Sequence, residues 1–404
     1  MRILIITDYL PYPPVTGDLQ GVYNRLLRIA KWHQVSIAGF LQRPDETDSI
    51  SHLQKFCYRV EAVKLRRCSR LVRLPRMLRY FITGKPPELE FLYSEELVNK
   101  IRQLVYEVDF EIVQIEQSRM ALYLKILPPD KLFKRILVFH NIASIQHNRI
   151  SHVERTRVRK IRAWLNGQMM RRWEPRYAEQ FDQCITVSEL DRKLLIAANP
   201  RLRVDVVSNG IDTKLYQPLV LKKKQPSLLL IGNMSYPPNA DSAIWFCKEI
   251  LPLIHRSIDR IQVWIVGLSP PPEVKKLSIN NVHVTGRVED VLPYYRRSTI
   301  CVVPLRAGGG TRGKILEAMA LGRPVISTSI GCEGLDVVDN RHLLVADDPQ
   351  QFAEKTIRLL LDRDLYQRIV TEARKFVVAR YDWDLAANKL LDIYSNITRL
   401  ALDP

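Results

Sequence analysis

Short apolar runs alternate with longer amphipathic stretches along nearly the whole chain. Residues 1–7, 34–40, 111–116, 136–140 and 183–188 have the length and near-continuous hydrophobicity of strands buried on both faces of a parallel sheet. Between them, 22–32 repeats apolar residues at helical spacing (Val22, Leu26, Ala30), 94–106 predicts a second helix, and 154–176 predicts a third. Its expected buried stripe is Val158, Ile161, Leu165, Met169 and Trp173. Ser188 stands where the N-cap of a following helix belongs. A second alternation starts after a polar joint at Lys222-Lys223-Lys224. Its predicted strands are 227–231, 261–267, 281–288, 300–304 and 324–327, and its helices 240–255, 291–298 and 311–321. Three more helices close the chain, near 349–362, 364–379 and 384–399. Strand–helix alternation of this kind predicts an α/β fold built from two doubly wound, Rossmann-like domains in tandem.

The densest chemistry lies in 304–328. An apolar strand runs into Gly308-Gly309-Gly310, Thr311 is placed to cap a helix, Gly322 sits at its far end, and Pro324 opens the next strand. Glycines and a helix N-terminus above a strand end let an anion approach backbone N–H groups. Lys314 in the first turn reaches a phosphate there, and Glu317, one turn on, suits the hydroxyls of a ribose. On spacing alone the alternative stands level: a mobile loop followed by a surface lysine–glutamate pair. The glycine-to-lysine spacing is not that of a Walker A loop. In the first half, Glu116 and the pair His140-Asn141 fall at strand C-terminal ends, the ligand-binding edge of such sheets, or are ordinary loop residues. Gly17 closes the proline-rich loop after the first strand, either as a turn glycine or as a point where backbone meets ligand.

Composition narrows this further. The 404 residues, 46% hydrophobic and 26% charged, suffice for two cores. No run approaches a membrane span or a signal peptide, and the six scattered cysteines contain no C-x-x-C pair, which argues against a zinc or disulfide framework. A cytoplasmic setting is expected. The formal charge of +18, concentrated before residue 216, calls for an acidic partner. Two regions hold much of it: 55–85, where arginines interleave with Leu71, Leu74, Leu78 and Phe81, and the 154–176 helix. An anionic membrane surface suits the first, with a solvated helix pair as the alternative; a helix packed on the first sheet suits the second, with a membrane-facing role as the alternative.

Taken together, several blocks resemble the glycosyltransferases of GT-B architecture in the large retaining group of glycosyltransferase family four. These are the Pro-Pro…Gly17 loop, His140-Asn141, Val187-Ser188-Glu189, Ser208 to Asp212, Gly286-Arg287-Val288, and above all Gly308 to Gly322 with Pro324-Val325-Ile326. The resemblance implies two Rossmann-like domains facing across a cleft, 1–216 on the acceptor side and 217–380 for the nucleotide-sugar, with 381–404 crossing back to the first. It implies a nucleotide-diphosphate sugar donor, transfer to an acceptor hydroxyl, a retaining and metal-independent course, and no cofactor.

By the same resemblance, Glu317 binds the donor ribose, and Lys314 with Gly309, Gly310 and Thr311 meets the diphosphate. Gly286, Arg287 and Val288 hold the base, Gly17 lies near the phosphates and His140 near the donor sugar. Lys314, His140 and Arg312 are the expected catalytic set; Glu116 and Asn141 are acceptor-side candidates. Two positions depart from the family pattern. Gly309 replaces the glutamate usually paired with Glu317, and Asn233-Met234 stand where an arginine is usual, which leaves Lys314, with Arg312 or Arg306, to meet the phosphates. The expected acceptor is lipid-linked or membrane-bound, in polysaccharide or glycolipid assembly on the inner face of a membrane. A nucleotide-sugar epimerase of the same architecture and a basic nucleic-acid-binding protein are the rivals; the second lacks any recognised nucleic-acid motif, so no nucleic-acid partner is expected.

Overall fold

The computed structural model describes all residues except 43–46, 66–81, 83, 221–224 and 400–404. The arginine-rich stretch from Arg66 to Arg79, its interleaved leucines with Phe81, and the lysine joint at 222–224 therefore lie outside the described residues.

Two parallel sheets carry the fold. The first holds β1 (Arg2–Tyr9), β2 (Gln34–Phe40), β3 (Arg59–Val63), β4 (Ile112–Glu116), β5 (Lys134–Phe139), β6 (Gln183–Thr186) and β7 (Val204–Val206), in the order β3-β2-β1-β4-β5-β6-β7. The second holds β8 (Ser227–Ile231), β9 (Gln262–Val266), β10 (Val282–Gly286), β11 (Ile300–Val303), β12 (Val325–Ser327) and β13 (Leu344–Val345), in the order β10-β9-β8-β11-β12-β13. Every pairing is parallel. Each order reverses direction once, between β1 and β4 and between β8 and β11; this is the switch point at which doubly wound sheets bind ligands beyond their strand ends. The expected α/β class with two Rossmann-like domains is what the structure shows.

The chain divides into two compact units. One contains Met1–Asn148, Arg162–Ser208 and Asp384–Pro404; the other contains Arg149–Ile161 and Asn209–Trp383. The last helix, Trp383–Arg399, is thus largely part of the first unit's core. Its Leu390, Ile393 and Tyr394 are buried with Ile3, Ile5, Leu26 and Ile29, and Asp384 accepts a 2.6 Å bond from Arg28 Nε. In the second unit, Gly267 has φ 154°, and a Cβ there would lie 1.7 Å from the Gly232 carbonyl oxygen. Only glycine lets the ends of β8 and β9 approach so closely.

Several elements differ from expectation. β3 forms inside the first basic region, because Val60 and Val63 complete the pairing of β2. The first helix is Gly17–Ile29 rather than 22–32, since Leu19 already joins the core. The single helix expected over 240–255 is interrupted by a π-turn at Phe246–Ile250, just before Pro252, which has no N–H for the regular ladder. Helices Ala143–Val153 and Ser329–Cys332 had no counterpart in the sequence reading.

The largest correction concerns the helix Arg157–Ala178. Its buried line is Ala163, Asn166, Met170, Trp173 and Tyr177, while Val158 and Ile161 are 76% and 59% exposed. Two polar residues set this rotation. Glu174 is buried so that its carboxylate can accept bonds from the Ala143 and Ser144 N–H groups and from Ser118, which anchors the start of Ala143–Val153. Asn166 lies on the same face.

If the last helix is integral to the first core, Leu390→Ala should destabilise the protein by about 2–5 kcal/mol. The exposed Asp392→Ala should stay within about 0.5 kcal/mol. Urea unfolding followed by far-UV circular dichroism checks both.

Candidate functional site

In the first unit, the strand ends at the switch point assemble a buried ionic cluster. Glu116, the last residue of β4, is essentially inaccessible. Its Oε2 accepts from Arg25 Nη2 at 3.0 Å and lies 2.5 Å from His140 Nε2; its Oε1 accepts from Gln114 Nε2 at 2.7 Å. Gln114 Oε1 in turn accepts from Tyr394 OH at 2.6 Å. Burial alone would push the Glu116 carboxyl up, but the Arg25 guanidinium and the bonds from His140 and Gln114 outweigh it and hold it at about 2. Burial raises the Tyr394 phenol far above its ordinary value, so it is a permanent donor. Nδ1 of His140 is buried and makes no hydrogen bond among the described residues.

Glu116 and His140, read separately from the sequence, are therefore in direct contact. Arg25, Gln114 and Tyr394 were missed. Their signal was polarity where the pattern demanded apolar residues: Gln114 in the middle of β4, and Arg25 between Val22 and Leu26 on the buried face of its helix. Asn141 follows His140, half-buried, ahead of Ala143–Val153. Gly17 is the exposed first residue of its helix, with open space in the Cβ direction.

In the second unit, the loop after β11 and the helix Gly313–Ala320 stand at the other switch point. Gly308 has φ 129° and Gly310 φ 70°. A Cβ on Gly308 would meet Arg312 Nη2 at 2.6 Å. The Arg312 guanidinium turns back to donate to the carbonyls of Gly309 and Gly310, so it braces the loop from inside. Arg149, which clusters with this unit, donates to the Gly308 carbonyl at 2.9 Å and forms a two-bond fork with Glu333. Thr311 is not the N-cap: Arg312 occupies that position without a side-chain cap, and Thr311 Oγ1 accepts from Asn209 Nδ2 at 2.9 Å instead. Arg306 is engaged by Asp241 through a fork at 2.6 and 3.0 Å and lies over the Trp245 ring.

Lys314 is the distinctive group. Its side chain is half-buried, and among the described residues its one hydrogen bond goes to Asn239 Oδ1 at 3.0 Å. No carboxylate lies within ion-pair distance among the described residues. Burial and the nearby Arg312 charge bring its ammonium down to about 7, with Glu317 opposing. Burial raises the Glu317 carboxyl, and the 3.0 Å bond from Tyr295 OH and the Lys314 charge partly offset this. Tyr295 is itself fixed through its carbonyl by Arg323 Nε at 2.8 Å. Asn239 and Tyr295 were not singled out from sequence; both reach the site from other elements, which local pattern does not reveal. Gly286, with φ 73°, ends β10 facing open space; Arg287 is exposed and Val288 half-buried. A surface cavity of about 520 Å³, lined by Lys134, Asp182, Leu202, Arg203 and others, lies at the opposite, N-terminal strand edge and contains none of these residues.

A family model described as glycosyl transferases group 1 matches residues 225–362, and one described as Glycosyltransferase Family 4 matches residues 29–215. Among curated proteins, the chain is 21% identical to an uncharacterized 44.6 kDa protein in the cps region of Klebsiella pneumoniae, over 94% of this chain and 96% of that protein. It is 25% identical to a phosphatidyl-myo-inositol mannosyltransferase of Mycobacterium leprae, over 53% of this chain and 59% of that protein. Among solved structures, it is similar to sucrose-phosphate synthase from Thermosynechococcus elongatus, with a TM-score of 0.74, 16% identity, and 99% and 100% of the two chains covered. It is also similar to Anabaena HepE in complex with UDP and glucose, with a TM-score of 0.70, 15% identity, and 98% and 100% covered.

The Glu116 cluster yields a stability prediction. Arg25→Met should cost about 3–5 kcal/mol at pH 7, because it strands a buried carboxylate. The wild-type carboxyl sits below its unfolded value, so its contribution is present above about pH 4.5 and lost as pH falls towards 2. In the variant the carboxyl protonates at higher pH, so the penalty should shrink between pH 7 and pH 4. Urea titrations at the two pH values check this; an equal penalty at both would contradict it.

Proposed function

The chain belongs to the group 1, family four glycosyltransferases, and from that premise we propose that it moves a sugar from a nucleoside diphosphate donor to an acceptor hydroxyl by a retaining, metal-independent route. The carrying observation is Lys314, a half-buried ammonium beside a glycine loop whose one hydrogen bond among the described residues goes to a neutral amide. Such a group favours an anion, and the helix N-terminus at Gly313 adds potential of the same sign. As the bond to the sugar breaks, charge grows on the leaving diphosphate, and fixed donors there are worth more in the transition state than in the ground state. Gly309, Gly310 and Thr311 supply the backbone side of this grip. Glu317, oriented by Tyr295, takes the ribose hydroxyls, and Gly286 to Val288 flank the base. His140 faces the transferred sugar, with Glu116 and Asn141 beside it on the acceptor side. The solved relatives in complex with UDP and with UDP-glucose support a nucleotide-sugar donor.

The acceptor in this proposal is lipid-linked or membrane-bound, in polysaccharide or glycolipid assembly. Support comes from the similarity to the protein of a cps region and to phosphatidyl-myo-inositol mannosyltransferases. It also comes from the helix beginning at Arg157, where Val158, Ile161 and Trp164 are exposed among the exposed Arg157, Arg159, Lys160 and Arg162. Apolar and cationic side chains displayed together suit an anionic bilayer surface. No helix among the described residues is long and apolar enough to cross a membrane.

Nucleotide release measured across a panel of sugar donors, with lipid acceptors and with EDTA present, tests the reaction. Lys314→Met should lower kcat by about 10²–10³-fold with the fold intact. Full turnover in that variant would overturn the reading.

The proton linkage is a second test. The free lysine titrates near 7 and the diphosphate binds its charged form, so UDP affinity should be full below pH 7 and fall above it. The fall should be about tenfold per pH unit until the bound-state value is reached. Calorimetry at pH 8 should show proton uptake on binding, absent in Lys314→Met; no uptake in the wild type would contradict the assignment.

A further inference from the structure

The buried polar line from the last helix to His140 is longer than holding a helix in place requires. Tyr394 OH donates to Gln114 Oε1 at 2.6 Å, Gln114 Nε2 donates to Glu116 Oε1 at 2.7 Å, and Glu116 Oε2 faces His140 Nε2 at 2.5 Å. All four side chains are buried. The directions are fixed by charge. Glu116 is ionised, so it only accepts, and the Gln114 amide must turn its NH₂ towards the carboxylate. Its oxygen then faces Tyr394, which must donate. By the same logic His140 must carry its proton on Nε2, which leaves Nδ1, buried and unbonded among the described residues, as an acceptor. Arg25 Nη2 shares Glu116 Oε2 at 3.0 Å and stands 3.4 Å from His140 Nε2.

We propose that Tyr394, Gln114 and Arg25 are positioning residues: with Glu116 they lock His140 in the Nε2–H tautomer and in one ring orientation, so that the last helix sets the state of the histidine at the sugar. The inference rests on the reading above that His140 faces the transferred sugar. A tyrosine that merely filled the core would need its ring, not its hydroxyl. Leu390 and Ile393 already supply the apolar contact of that helix.

The test is selective ¹⁵N-histidine spectroscopy of the full chain, with the His140 resonances assigned by their loss in His140→Gln. Wild type should show the Nε2–H pattern. Tyr394→Phe, which keeps the ring, should shift His140 towards mixed tautomers and lower kcat about tenfold with donor KM within about twofold. Gln114→Met serves as a second variant with the same expected spectrum. An unchanged His140 spectrum in both variants overturns the relay. A changed spectrum with His140→Gln fully active overturns the part given to His140 in transfer, and leaves the Lys314 tests of the transferase reading standing.

Discussion

A half-buried ammonium group, given only an amide oxygen to bond among the described residues, is the constraint around which the second unit is arranged. Lys314 is half-buried, and no carboxylate among the described residues closes on it. Glu317 is near enough to oppose the lysine's loss of charge, yet its own carboxylate is held by Tyr295. A structure selected only for stability would pair the acid with the base or bury neither. Here Arg312 spends its guanidinium on the loop carbonyls, Arg306 on Asp241, and Arg149 on Glu333 and Gly308. Arg312 and Arg149 thus hold loop carbonyls, while Lys314 faces no carboxylate among the described residues.

The first unit solves its buried charge in the opposite way. Glu116 receives donors from three residues, and its charge is secured well below the physiological range. A group so firmly ionised is a poor proton acceptor, but it is an effective fixed point: everything bonded to it is oriented by it. The two sites thus differ in kind. The lysine can respond to a ligand through its protonation. The glutamate cannot, and organises its neighbours instead.

The distinction also explains what the sequence revealed. Strand ends are legible, because buried parallel strands are apolar runs and their last residues fall at the ligand edge; Glu116 and His140 were found on that ground, and Lys314 from the glycine loop ahead of it. The alternation of β and α signals was enough to yield both sheets except β3, β7 and β13. Hidden were residues whose partners are distant in sequence. Asn239 meets Lys314 across 75 positions, and Tyr394 meets Gln114 across 280. The Arg157–Ala178 helix was misread for a related reason. Hydrophobic spacing favoured Val158 and Ile161, but buried bonds of Glu174 decided the rotation. The Thr311 cap failed because Asn209 claimed the hydroxyl.

The same long-range pairing constrains how the first unit is built. Its core includes Leu390, Ile393 and Tyr394, which are synthesised after the whole of the second unit. Until they arrive, Ile3, Ile5, Leu26 and Ile29 lack part of their cover, and the Gln114 amide oxygen lacks its donor. The second unit, Asn209–Trp383 with a short segment from 149–161, has no such dependence on the chain's end. Contacts that close so large a loop are late and entropically costly. The Tyr394 end of the polar line at Glu116 is therefore completed only after the chain has been made through the last helix.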